Sequence, residues 1–399
     1  MTQNYDKLIK KMTWAMCIAL CVQRLSMSAG SVFWGIAILI CLYLLYHNRN
    51  GIFVEDGFKG YYRAFAIFFI TLLPSLCFAG NFSTWIKNFA EMWLYRPLPF
   101  FMVTLFIRDR ELLNKVLMIF ISVTAVDCTV ALYQAIALHA RGWGFGGSQL
   151  QLASLLCILM PAVVVILLDD EFSSRAKLVA KIAFPFLFAG MLAGRSRGLW
   201  LALVIVLPLV MWRYLIKNRK ALMVTVLIVA ALCGFSAAQP KFVERVKSIT
   251  NITTDISNRD RIVMWRSAKN MIKDHPLTGV GLGQFKKNYF AKYQLREIKQ
   301  RHLNHTHNNV LQICAETGIL GALGFIYLSI YILIRNFREW LRRKDPYSLI
   351  IWGSWLAFII FGIFDVIIDH SAVTRSWWFL LGTMLVMKNG KSYENDLKQ

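Results

Sequence analysis

The chain has 399 residues, 57% of them hydrophobic, and its 45 Lys and Arg residues exceed its 22 Asp and Glu residues, which gives a formal charge of +23. Long apolar runs alternate with short basic stretches, a composition that argues against several soluble domains and predicts an all-α integral membrane protein. Nucleic acid is a poor candidate partner, because the sequence contains no recognised nucleic-acid-binding module.

Apolar runs long enough to cross a bilayer recur along the chain. A spanning helix needs roughly 17 to 25 apolar residues, and about twelve segments meet that criterion. These predicted spans are 13–28, 30–46, 64–80, 91–107, 116–138, 150–168, 178–193, 199–216, 221–237, 309–334, 348–368 and 376–388. We therefore expect transmembrane helices 1 to 9 within 1–237, one large polar loop at 238–308, and helices 10 to 12 with a short tail within 309–399.

The placement of Lys and Arg predicts the orientation of these helices. Cationic side chains are retained in the short cytoplasmic loops during insertion. If the N-terminus is inside, the cytoplasmic loops hold far more Lys and Arg than the opposite loops do. Both termini are therefore predicted to be cytoplasmic, and the 238–308 loop is predicted to lie outside.

The 238–308 loop carries more positive charge than is expected of a loop outside the cytoplasm. Between 238 and 308 the sequence has fourteen Lys and Arg residues but five Asp and Glu residues. Since short external loops are normally poor in cations, the excess indicates an anionic partner outside the cytoplasm.

The same loop shows helical periodicity. Residues 258–274 place apolar side chains at helical spacing with cations around them, which predicts an amphipathic helix. Pro276 ends it, and a glycine-rich turn from Gly279 to Gly283 precedes a second basic helical stretch. The turn resembles a nucleotide-binding loop but lacks the flanking strand, so nucleotide binding is not expected.

Gly194 to Gly198 predict a tight external turn that carries Arg195 and Arg197. Arg197 would stand at the start of the next helix, where free N–H groups favour an anion and a guanidinium binds phosphate bidentately. The alternative is a pair of interfacial arginines that reach lipid phosphates. Arg96, which precedes Pro97, and Arg141, in a glycine-rich loop, are weaker candidates of the same kind.

A histidine cluster lies where the chain re-enters the membrane. His302, His305 and His307 have a spacing that could ligate zinc, but no carboxylate or thiolate lies close in sequence to complete the site, so no metal is expected. His307 is the candidate base, and the alternative is a capping or packing histidine. Asn308 can bind a sugar or orient the ring. Glycines at 318, 321 and 324 are interpreted as helix-packing residues.

Taken together, these elements resemble the O-antigen ligase family of bacterial envelope enzymes, whose membrane domain is shared with O-antigen polymerases and some protein O-glycosyltransferases. The resemblance covers nearly the whole chain. It rests on the span count, the single large late loop and four motifs in order: Ser196-Arg197-Gly198, Arg261-x3-Trp265-x2-Ala268, Pro276 to Phe285, and His307-Asn308-x9-Gly318.

The resemblance implies a membrane-embedded, GT-C-like glycosyltransferase in the bacterial inner membrane with its active site facing the periplasm. Its donor would be a glycan linked to undecaprenyl diphosphate and its acceptor lipid A–core oligosaccharide, with inversion at the anomeric carbon and neither metal nor cofactor. The expected catalytic residues are His307, as base, with Arg197 and Arg261 at the diphosphate. The expected substrate-binding residues are Arg195, Asn308, Arg96, Arg141, Arg266 and His305.

Three other functions stay open at this point. An O-antigen polymerase or related oligosaccharide transferase would have the same motifs. A transporter of a lipid-linked glycan would also have many spans and interior arginines, although the sequence shows no convincing internal repeat. A non-catalytic scaffold would tolerate loss of His307.

Overall fold

The computed structural model describes residues 2–47, 55–78, 82–217, 234, 256–298 and 305–396, which form helices and turns without a β-strand. Shorter 3-10 helices cover Leu73–Phe78 and Gly144–Gly146, and π-helices cover Ala90–Tyr95 and Tyr289–Tyr293. The α-helices are α1 (Thr2–Val22), α2 (Met27–His47), α3 (Asp56–Leu72), α4 (Phe82–Phe89), α5 (Leu98–Phe106), α6 (Arg110–Ile136), α7 (Gln149–Leu168), α8 (Ser174–Gly194), α9 (Arg197–Lys217), α10 (Ile256–Asp274), α11 (Phe285–Asn288), α12 (Asn309–Arg343), α13 (Pro346–Gly362) and α14 (Ser371–Asp396).

Seven helical segments in the described part of the chain are long and apolar enough to cross a membrane. They are Met27–His47, Asp56–Cys77, Arg110–Ile136, Gln149–Leu168, Ser174–Gly194, Arg197–Tyr214 and Asn309–Arg343. This set fits an integral membrane protein and overlaps seven of the predicted spans. The predicted span at 221–237 lies outside the described residues except for Gly234.

Two predicted spans have shifted boundaries. The segment 13–28 contains a connection, because α1 ends at Val22 and α2 begins at Met27. The buried Arg24 lies in this connection, where its guanidinium pairs with a carboxylate from another helix. The last predicted span, 376–388, falls within the longer α14.

Two other predicted spans are wrong as single helices. Residues 91–107 are interrupted between Tyr95 and Leu98, because Pro97 has no N–H to donate and the buried Arg96 bonds to a carbonyl elsewhere. The segment 348–368 is helical only to Gly362, and residues 363–370 leave the helix. Both interruptions bring polar side chains into the interior, which apolar run length alone did not indicate.

Helix α12 packs against α3, α13 and α10. Large aromatic side chains fill the interior beside it. In α13, Trp355 stacks on Phe358 with ring centroids 4.7 Å apart and on Trp377 of α14 at 4.9 Å. These buried rings hold α13 and α14 together beneath the segment 363–370.

A backbone kink at Gly318 divides α12. Gly318 has φ 76° and ψ −177°, a conformation that is essentially restricted to glycine. The turn after α10 packs into this kink, where the Ile319 N–H donates to the Pro276 carbonyl at 2.8 Å and the Val280 N–H donates to the Ala315 carbonyl at 2.9 Å. Gly318 was interpreted as a helix-packing residue, and the structure gives it this different role. At Gly324, by contrast, a Cβ would overlap Thr71 of α3, as expected of close helix packing.

We expect Gly318→Ala to lower the thermal stability of the detergent-purified protein by several degrees. An alanine there would have to adopt the glycine-only conformation, at a cost of about 1–3 kcal/mol, and its Cβ would stand 2.3 Å from the Leu277 carbonyl carbon. Gly35→Ala in α2 is the matched control, because no atom lies within 4 Å of its Cβ position. Equal midpoints for thermal unfolding of the two variants would contradict this account of the kink.

Candidate active site

The turn that precedes α12 carries His305 and His307 and is fixed from both sides. Asn308 is the N-cap of α12, and its Oδ1 accepts a hydrogen bond from the Leu311 N–H at 2.9 Å. From α10, the indole N–H of Trp265 donates to the Thr306 carbonyl at 2.9 Å. These contacts hold His307 at φ 54°, a left-handed conformation uncommon for histidine.

The His307 imidazole faces a buried carboxylate. Its Nδ1 lies 3.3 Å from Oδ1 of Asp365, and the two side chains are 13% and 4% exposed. Asp365 belongs to the segment 363–370, which Asn309 anchors by accepting a hydrogen bond from the Ile367 N–H at 2.8 Å. Burial raises the pKa of Asp365, but the hydrogen bond and charge of His307, with the charges of His305 and Arg261, outweigh it and hold this pKa below its usual value. Asp365 is therefore ionised at neutral pH.

The His305 ring packs against the His307 ring and is neutral at neutral pH. The ring centroids are 4.1 Å apart, and Nδ1 of His305 accepts a hydrogen bond from the His307 backbone N–H at 3.3 Å. Burial and the neighbouring His307 lower the pKa of His305 to about 4. Because Nδ1 is the acceptor, neutral His305 carries its proton on Nε2.

His305, His307 and Asp365 also place one ligand atom each within 4.8 Å of one another, a spacing that could hold a metal ion. This differs from the zinc cluster considered from the sequence, whose third member, His302, lies outside the described residues. The charge of Arg261 acts on both Asp365 and His305 and opposes a cation there. The ligand types themselves suit a metal ion.

Three arginines predicted to bind substrate or stabilise charge, Arg195, Arg197 and Arg261, lie within electrostatic range of a fourth, Arg141. Arg195 ends α8 at φ 50° and Arg197 begins α9, as the sequence predicted, and both are buried. The Nη2 of Arg141 donates to the carbonyls of Gly194 and Arg195, each at 3.4 Å. Burial lowers the pKa of Arg141, and the charges of Arg195, Arg197 and Arg261 lower it further. Such a group of like charges favours binding of an anion.

The loop that carries Arg141 is braced by buried polar groups. Oε1 of Gln134 in α6 accepts hydrogen bonds from the Trp143 and Gly144 N–H groups at 2.8 and 2.9 Å. About two helical turns away on α6, Asp127 pairs with Arg24 at 2.8 Å, and Arg24 also donates to the Trp143 carbonyl at 3.0 Å. Position 141 is therefore held by α6 and by the α1–α2 connection together.

Comparison with known proteins agrees with this geometry. Residues 182–326 match the family model described as O-antigen ligase, a range that contains the arginine turn, α10 and the His307 turn. This match supports membership of the chain in the O-antigen ligase family. A comparison with curated proteins finds no match.

Other predicted site residues have additional or different contacts. Arg96 donates to the Ile368 carbonyl, in the same segment as Asp365. The Asn308 amide serves the α12 cap and donates to the Ile363 carbonyl at 3.2 Å. Arg266 pairs with Glu297 on the surface, where both side chains are more than half exposed.

Sequence reasoning missed Asp365 as the partner of His307, together with Asp369 and His370 beside it. Asp365 lies inside the predicted span 348–368, and an acidic residue within an apolar run is itself a signal of a functional site. Asp365 lies 58 residues beyond His307 in sequence, so the local pattern around the histidines does not reveal it.

Proposed function

We propose that this member of the O-antigen ligase family transfers a glycan from undecaprenyl diphosphate to a hydroxyl of lipid A–core oligosaccharide at the periplasmic face of the bacterial inner membrane. One observation supports the proposal: His307, paired with Asp365, lies in the same region as a group of arginines. These arginines are Arg141, Arg195, Arg197 and Arg261. In this proposal the 238–308 loop, with α10, is the periplasmic part of the site.

His307 is the proposed base. Ionised Asp365 faces Nδ1, so the neutral ring keeps its proton on Nδ1 and presents Nε2 as the acceptor. As the acceptor oxygen bonds to the anomeric carbon, its proton passes to Nε2. The bond between the anomeric carbon and the diphosphate oxygen breaks, and the leaving group keeps the electron pair. Attack from the face opposite the leaving group inverts the anomeric configuration.

The arginines are the proposed stabilisers of the leaving group. Negative charge grows on the diphosphate oxygen as the glycosidic bond breaks, and guanidinium groups that are already in place lower the energy of that state. Bidentate hydrogen bonds suit Arg197 and Arg261 to this role. The lipid diphosphate is an activated donor, so no nucleotide is needed. The charge of Arg261 near His305 and Asp365 also supports a reaction without a metal ion.

The direct test supplies lipid-linked glycan and lipid A–core glycolipid to the protein purified in detergent. Formation of the joined product without a sealed bilayer supports transfer and excludes simple transport. Elongation of the lipid-linked glycan instead of the core glycolipid would replace the ligase assignment with a polymerase one. A treatment with chelator belongs in the same assay, and loss of product that returns on adding zinc would contradict the metal-independent mechanism.

We expect Asp365→Asn to reduce transfer roughly a hundredfold or more, because an amide no longer fixes the His307 tautomer. The loss should fall mainly on kcat, because a proton on the wrong ring nitrogen weakens proton transfer without weakening donor binding. Asp170→Asn is the control, because Asp170 is fully exposed beside Lys177. A rate within a fewfold of wild type would show that Asp365 does not act through His307.

A further inference from the structure

One cavity, whose lining includes His305, is not used by the mechanism above. Its volume is about 270 Å³, and eight of its ten lining residues have polar or charged side chains. Ligand pockets usually measure about 300–1,000 Å³, so this cavity suits one small polar ring better than a lipid chain or a whole oligosaccharide. The His305 ring forms part of its wall and packs against the His307 ring, with centroids 4.1 Å apart. An occupant would therefore lie beside the proposed base.

The charges around this cavity differ from those around the arginines. Glu91, Glu316 and Asp369 share the lining with Arg96 and Lys286. Carboxylates repel a diphosphate, and the two cations oppose a metal ion. A wall that offers both hydrogen-bond donors and acceptors suits a ligand rich in hydroxyl groups.

Two of these carboxylates, Glu316 and Asp369, differ in their hydrogen bonds. Glu316 braces the protein, because it accepts hydrogen bonds from the Gly283 N–H at 2.9 Å and from Nε2 of Gln312 at 3.0 Å. Asp369 accepts no side-chain hydrogen bond from the part of the chain that the structure describes. Burial raises the pKa of Asp369 to about 6, even though the charge of Arg96 lowers it. Its carboxylate is therefore mostly ionised at neutral pH and is available to a ligand.

We propose that this cavity binds the sugar of the acceptor that carries the attacking hydroxyl, with Asp369 and Glu91 accepting hydrogen bonds from its other hydroxyls. The inference rests on the proposed function. The donor also contains sugars, but the residues around the cavity include none from the Arg141 loop or from the Arg195–Arg197 turn, where the diphosphate would lie. The cavity and the proposed phosphate site therefore have different lining residues, and the cavity reaches the histidine pair through His305.

The test is a comparison of Asp369→Asn and Glu91→Gln with wild type in the purified transfer assay. Each variant should raise KM for lipid A–core glycolipid about tenfold, the effect of one lost hydrogen bond to a charged group. The KM for lipid-linked glycan, and kcat at saturating acceptor, should stay near the wild-type values. Glu297→Gln is the matched control, because Glu91 and Glu297 are each 57% exposed and paired with an arginine, and Glu297 does not line the cavity.

The outcomes separate this inference from the proposed function. Unchanged acceptor KM in Glu91→Gln and in folded Asp369→Asn would overturn it while leaving transfer intact, and a raised donor KM would assign the cavity to the donor sugar instead. If the wild-type protein transfers nothing, the proposed function fails. The proposed sugar site is then tested by measuring direct binding of the core glycolipid to immobilised protein. Weaker binding in both variants than in Glu297→Gln would uphold it. Equal binding, or binding abolished by chelator, would overturn it.

Discussion

Replacing His307 with Asn should abolish glycan transfer and leave the protein folded in the membrane. Asparagine is the informative replacement, because it tolerates the left-handed backbone at φ 54° better than alanine does. Its amide cannot take a proton from the acceptor hydroxyl. Loss of a positioned base reduces rates by about a hundredfold to ten-thousandfold, and we expect at least that loss in the purified assay.

His47→Ala is the control for this experiment. His47 is an exposed histidine at the end of α2, where its ring bonds to the Tyr43 carbonyl and stacks on the Tyr43 ring. The control should keep wild-type activity, and both variants should be made and purified like wild type. Transfer by His307→Asn within a fewfold of wild type would remove His307 from catalysis and favour the capping interpretation.

Arg197→Lys should reduce transfer by about a hundredfold to a thousandfold, the usual effect of removing one positioned donor to a developing negative charge. Lysine keeps the positive charge but loses the planar pair of N–H groups that binds phosphate bidentately. Because Arg197 is buried at the start of α9, a lysine ammonium would have little freedom to find an equivalent position. The loss should fall mainly on kcat, since the charge on the leaving oxygen is greatest in the transition state.

Arg213→Lys tests the same substitution near the opposite end of α9 and should leave the rate unchanged. Wild-type activity in Arg197→Lys would indicate that the arginines supply only bulk positive charge. A raised donor KM with unchanged kcat would indicate ground-state binding without stabilisation of the leaving group.

Local patterns predicted the parts of the site that lie in one stretch of sequence. The arginine turn, the start of α9 at Arg197, the amphipathic helix in the loop and the glycine turn after it all appear where periodicity, proline and glycine placed them. Each depends on interactions between residues a few positions apart, which sequence displays directly.

Contacts between distant segments were not predictable in the same way. The pairing of His307 with Asp365 depends on how α13 ends and on Asn309 holding the following segment. The length of an apolar run does not predict the break at Arg96 and Pro97. The buried Arg96 guanidinium donates to the carbonyl of the distant Ile368, and this contact depends on the fold. The kink at Gly318 follows from the docking of another loop, so a helical pattern could not reveal it.

The ion pair between Arg24 and Asp127 connects the N-terminal hairpin of α1 and α2 to the candidate active site. Its two side chains are 6% and 2% exposed, so deleting the hairpin would leave a carboxylate stranded in the interior, at a cost of about 3–5 kcal/mol. The same deletion would free the loop that presents Arg141. In the proposed mechanism the first two helices support the loop that binds the diphosphate, and we expect that they cannot be exchanged for an unrelated membrane anchor.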